Sequence, residues 1–87
     1  MIESEIENTV CEHAKANGWL VRKFKYIGRR AAADRLLIRN GRVVFIEFKQ
    51  KGKLPRPGQD REHLRLKAHG AEVYVIDNIE DGLELLR

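Results

Sequence analysis

Asp34, Glu47 and Lys49 are the two carboxylates and the lysine of one stretch of this 87-residue chain, Asp34-Arg-Leu-Leu-Ile-Arg-Asn-Gly-Arg-Val-Val-Phe-Ile-Glu47-Phe-Lys49, whose other charges are Arg35, Arg39 and Arg42. Two apolar runs, Leu36 to Ile38 and Val43 to Phe48, flank Asn40-Gly41, the strongest short-range hairpin signal. Strand side chains alternate in direction. Phe45, Glu47 and Lys49 therefore share one face, while Val44, Ile46 and Phe48 fill the other. Pairing across the turn puts position 34 opposite positions 47 to 49, so two carboxylates and an ammonium converge at one end of the ribbon. Mg²⁺ takes oxygen ligands in octahedral geometry, and two carboxylates with waters and a phosphate oxygen can hold it. Lys49 is then placed to orient or help deprotonate an attacking water while the ion stabilises charge on the phosphate. An Asp at a strand start is commonplace. A carboxylate inside Val-Val-Phe-Ile-Glu-Phe is not, because it is costly there unless paired or metal-bound. The chemistry these residues suit is metal-dependent hydrolysis of a phosphodiester.

The rest of the chain supplies elements to hold that ribbon. Ser4-Glu5-Ile6-Glu7 reads as a capping box, and Ile2, Ile6, Val10 and Ala14, with Cys11 beside them, form the apolar face of a helix ending at Asn17-Gly18. Trp19 to Ile27 is β-prone and predicts the first strand. A loop from Gly28 to Ala33 leads into Asp34, and its Arg29 and Arg30 are placed to grip phosphates beside the scissile one. After the hairpin, Gln50 to Gly58 is a basic Pro/Gly loop carrying Lys51, Lys53 and Arg56, expected to lie across the substrate. Gln59 to His69 predicts a helix closed by Gly70, with Gln59 and His63 on one face. Glu72 to Asp77 predicts a fourth strand. Asn78 caps a terminal helix whose Ile79, Leu83 and Leu86 are expected in the core. The order is α-β-β-β-α-β-α. Three strands in a meander followed by a helical crossover to a fourth imply an α/β fold with a mixed sheet flanked by helices.

Composition sets the class of partner. Residues 22 to 67 carry fifteen Lys and Arg against four acids, whereas both ends of the chain are net acidic. So concentrated a basic region around the carboxylates favours a nucleic-acid backbone, through counterion release, over a merely solvated surface. One domain spanning residues 1–87 is expected. No apolar run approaches a membrane span and the N-terminus does not read as a signal peptide, so a cytoplasmic protein with no membrane association is expected. Cys11 is the only cysteine and reads as a small buried hydrophobe. His13, His63 and His69 lack the spacing of a zinc site.

Asp34, Glu47-Phe-Lys49, Lys53-Leu54-Pro55-Arg-Pro57-Gly58-Gln59 and Gly70-Ala71-Glu72-Val73-Tyr74-Val75 together resemble the VRR-NUC branch of the PD-(D/E)xK nuclease superfamily, over nearly the whole chain. The family usually has Pro before the Asp, where this chain has Ala33. The resemblance implies a restriction-endonuclease-like fold and a DNA endonuclease using Mg²⁺ or Mn²⁺. It implies that Glu7 on the first helix, with Glu3 in reserve, joins Asp34, Glu47 and the carbonyl of Phe48 as metal ligands, and that Gln59 supports the centre. Small stand-alone members resemble Holliday-junction resolvases, which makes branched DNA the implied substrate, with flaps or plain duplex as alternatives. The non-enzymatic alternative is a basic nucleic-acid-binding module with structural carboxylates. Size and the need for two coordinated cuts imply a homodimer, with Trp19, Leu20, Phe24, Leu85 and Leu86 as candidate contributors to its interface.

Overall fold

The computed structural model describes residues 1–24 and 35–87. The elements are α1 (Glu3–Ala16), β1 (Leu20–Lys23), β2 (Arg35–Arg39), β3 (Arg42–Phe48), α2 (Pro57–Ala68), β4 (Glu72–Ile76) and α3 (Ile79–Leu85). The order is the one the sequence predicts. Asn40 and Gly41 both take positive φ, 51° and 79°, as a two-residue turn matching strand twist requires. The turn fixes the register of the β2–β3 ladder, in which Leu37 pairs with Val44 and Arg35 with Ile46. β1 adds antiparallel to β2. β4, after the α2 crossover, runs parallel to β3 with Glu47 level with Val75. The result is one four-stranded sheet in the order β1-β2-β3-β4.

Alternation along β3 sorts the sheet into two faces. Val44, Ile46 and Phe48 are fully buried and pack with Leu37, Ile76 and the α1 residues Ile6, Val10, Cys11 and Ala14. Helix α3 lies against α1, and Gly82 sits so close to Val10 that a Cβ there would lie 2.6 Å from a valine methyl. On the opposite face stand Phe45, Glu47 and Lys49. Helix α2 packs against β4, where Val73, level with Phe45 and so on this same face, is buried. No helix among the described residues is long and apolar enough to cross a membrane.

Several local expectations need correction. Helix α1 starts two residues earlier than the Ser4 reading: Ile2 is the N-cap, and the Glu5 carboxylate accepts the Ile2 N–H at 3.4 Å, so Ser4 lies within the first turn. Ile2 itself is exposed. Leu85, not Leu83, packs with Leu86 and Ile79 against the core, because α3 begins at Ile79 and its inward stripe runs along that side. The Asn78 cap holds, its Oδ1 accepting from Asp81 N at 2.8 Å. Trp19 and Leu86 are core residues and cannot contribute to an interface as they stand. The Trp19 indole N–H donates to the Leu86 carbonyl at 3.0 Å, and Arg39 stacks 4.5 Å over its ring. Leu20 remains exposed.

Candidate active site

Glu47 occupies the sixth position of β3, with 2 % of its surface exposed. Lys49 follows it past the strand end, still tied to β4 by its N–H to the Ile76 carbonyl at 3.0 Å. The spacing of two residues carries both side chains to the face opposite α1. The Lys49 Nζ lies 3.6 Å from Glu47 Oε2. A carboxylate so deeply placed in an apolar strand keeps its charge only with a cation nearby. The arrangement meets that need with an ammonium and leaves a set of hard oxygen donors, the Glu47 carboxylate and adjacent main-chain carbonyls, of the kind a divalent cation takes.

Glu7 is positioned otherwise. Its carboxylate Oε2 accepts from Arg35 Nε at 2.5 Å, with both side chains largely buried. Because Arg35 is paired with Ile46, this contact lies on the α1 side of the sheet. The capping role falls to Glu5, and Glu7 serves as the ionic tie between α1 and the first residue of β2. Glu3 lies exposed in the first turn of α1. Asp34, Arg29 and Arg30 lie outside the described residues. Among the described residues no group of three or more His, Cys, Asp or Glu side chains is gathered to hold an ion.

Gln59, 5 % exposed, is at the third position of α2, and its Oε1 accepts the N–H of Arg56 at 3.0 Å. One lone pair of the carbonyl oxygen is used in that cap, and the NH₂ is a donor suited to phosphate or water. Ahead of it, Lys51, Lys53 and Arg56 are all exposed along the β3–α2 connection. That loop is anchored by Gly52 N–H to the Asp77 carboxylate at 3.1 Å, a bond that, with the one from Asn78, holds the Asp77 carboxyl below its ordinary range. The loop thus presents its cations from a fixed base beside the end of β3.

Sequence reasoning passed over two residues near these groups. Arg35 was hidden as one more basic residue, although its place directly after Asp34 gave it a fixed register. His63 was visible only as the neighbour of Gln59 one turn on. It is buried, and burial, reinforced by Lys67, pushes its pKa down.

A buried carboxylate on the third strand with a lysine two residues on, over a three-strand meander and a parallel fourth strand, defines a nuclease-type α/β domain. A solved structure described as a VRR_NUC domain superposes with a TM-score of 0.88 at 35 % identity, covering 95 % of this chain and 91 % of that one. A phage protein, "Putative nuclease p44" of Acyrthosiphon pisum secondary endosymbiont phage 1, is 40 % identical over 77 residues, 87 % of this chain and 83 % of its own length. No family model matches the chain. The chain belongs to the VRR-NUC family.

Proposed function

We propose that this chain is a Mg²⁺- or Mn²⁺-dependent endonuclease that hydrolyses phosphodiester bonds of DNA. The observation that carries the reading is the Glu47–Lys49 pair, a buried carboxylate and an ammonium 3.6 Å apart on one strand face. The relative described as a nuclease and the VRR_NUC fold support it. Glu47, the Phe48 carbonyl and Asp34 would hold the cation. Glu7 would join them only by giving up its bond to Arg35 and reaching past the sheet from its α1 side. A bound divalent ion supplies Lewis-acid stabilisation of charge on the phosphate. Lys49, held by Glu47, orients the attacking water and carries positive charge next to the reacting phosphate. Gln59 donates from its NH₂ to a phosphate oxygen or to water. Lys51, Lys53 and Arg56, with Arg29 and Arg30, bind flanking phosphates and so position the strand without reading its sequence.

Branched DNA, a four-way junction first, is the substrate that suits a small domain acting as a symmetric pair. Exposed Leu20 and Val43 lie in one cross-strand row with Ile38, on the face that α1 and α3 leave open, and this supports an isologous homodimer. Purified protein incubated with a four-way junction, a flap and plain duplex, each with Mg²⁺ and with chelator, tests the whole reading. Metal-dependent cuts in the junction are the expected result. Binding without cleavage in every arm would make the chain a nucleic-acid-binding module instead.

A further inference from the structure

Besides Gln59, helix α2 buries two polar side chains that the reaction outlined above does not use, Glu62 and His63. His63 follows Gln59 by one turn on the same helix face and is 5 % exposed. Its Nε2 is buried and has no hydrogen-bond partner among the described residues. A leucine would cover the sheet there without leaving a polar atom unpaired, so the imidazole needs a reason to be present.

Its location supplies one. α2 packs against β4, and β4 lies parallel to β3 with Val73 level with Phe45 and Val75 level with Glu47. The sheet face under α2 is therefore the face from which Glu47 and Lys49 project. The charged groups whose fields reach the ring are Asp60, Glu62 and Lys67 on α2 and Lys49 just past the end of β3. Burial and the two lysines favour the uncharged ring over the two acids. An uncharged imidazole has one nitrogen that accepts, and an ammonium has three N–H groups to give.

We infer that His63 is a positioning residue of this site, its ring holding the Lys49 ammonium from the helix side through one water, as Glu47 holds it from the strand. Lys49 would then be fixed between two elements and aimed at the reacting phosphate. The kinetic consequence rests on the nuclease reading; the contact itself does not.

The test uses the full chain with His63→Leu and His63→Gln. Gln keeps a polar atom near the place of Nε2, and Leu fills the space without one. His63→Leu is expected to cut the single-turnover cleavage rate about tenfold, with DNA affinity and melting temperature kept, and His63→Gln to restore most of the rate. In parallel, the imidazole resonances of His63 are titrated by NMR in the native chain and in Lys49→Met. Removing the lysine is expected to raise the pH at which His63 charges. Cleavage by His63→Leu within twofold of native, or equal loss in both variants together with a fall in melting temperature, would overturn the proposal. So would a His63 titration unmoved by Lys49→Met, and that arm decides the contact even if the native chain cuts no DNA, an outcome that would count against the nuclease reading alone.

Discussion

The Lys49 ammonium lies 3.6 Å from the Glu47 carboxylate, and both stand on one face at the C-terminal end of β3 because two residues of extended chain return a side chain to the same face. Lys49→Ala is expected to lower the cleavage rate by about a hundredfold or more, the range for losing a group that handles a proton in the transition state. Metal affinity should largely persist, since an ammonium is not a ligand. Calorimetric titration with Mn²⁺ checks this. Loss of Mn²⁺ binding in the variant would show that Lys49 holds the carboxylate in place and does little else.

Gly82 allows α3 to approach α1, and a Cβ added there would stand 2.6 Å and 2.9 Å from the two methyls of Val10. Neither helix can move without disturbing the β3 face below. Gly82→Ala should destabilise by about 1–3 kcal/mol, as overpacking does, and lower the melting temperature by roughly 4–8 °C per kcal/mol in a domain of this size. Val10→Ala removes the methyls concerned. The double variant should lose less than the sum of the two singles, and simple additivity would mean the helices relax apart.

Arg42 grips both Glu72 oxygens at 2.9 Å, and the Tyr74 hydroxyl donates to the same carboxylate at 2.8 Å. These bonds, the guanidinium's first, bring the Glu72 carboxyl from 4.5 down to about 2. Since the folded value lies below the unfolded one, the unfolded chain holds the proton more tightly. The contribution is complete above about pH 4.5 and is lost as pH falls toward 2. Both partners are a third or more exposed, so water screens the pair and keeps its contribution modest. Thermal melts across that window should fall more steeply for the native chain than for Glu72→Gln. Parallel curves would mean that the pair adds nothing to stability.

Affinity for DNA should decline linearly with the logarithm of salt concentration, with a slope of about −0.9 for each phosphate contacted. Lys51→Ala, Lys53→Ala and Arg56→Ala should each reduce the slope by about one contact, because all three are exposed on the anchored β3–α2 loop. Fluorescence anisotropy over a salt series measures it. A flat dependence in the native chain would leave the basic middle as solvated surface.

Much of this fold is local and was readable as such. Asn40-Gly41 dictates its own turn, the turn dictates the register, and alternation then places Glu47 and Lys49 together. The parallel β4 follows from a crossover too long for a hairpin. What the sequence could not disclose depends on contacts between distant segments. Trp19 reads in the sequence as a candidate for an interface as much as for the core, because nothing near it in the chain covers it; its partners are Leu86 and Arg39, from the last helix's end and the second strand. Glu7 looked like a ligand or a cap because its actual partner, Arg35, is 28 residues on. His63 carried no motif, and only the seat of α2 on β4 brings it over the Glu47 face.

The most direct test of the proposed chemistry is metal-dependent cleavage of a labelled four-way junction by the native chain, Asp34→Asn and Glu47→Gln, each at saturating Mg²⁺. An amide keeps the shape of the side chain and discards the charge that would hold the cation, while the basic loop proposed to bind phosphate is untouched. The native chain should cut, both variants should lose at least about a hundredfold, the upper range for removing a group that merely supports a metal ligand, and all three should bind the junction with similar affinity. Near-native cleavage by Glu47→Gln would contradict the assignment of β3 as the catalytic strand.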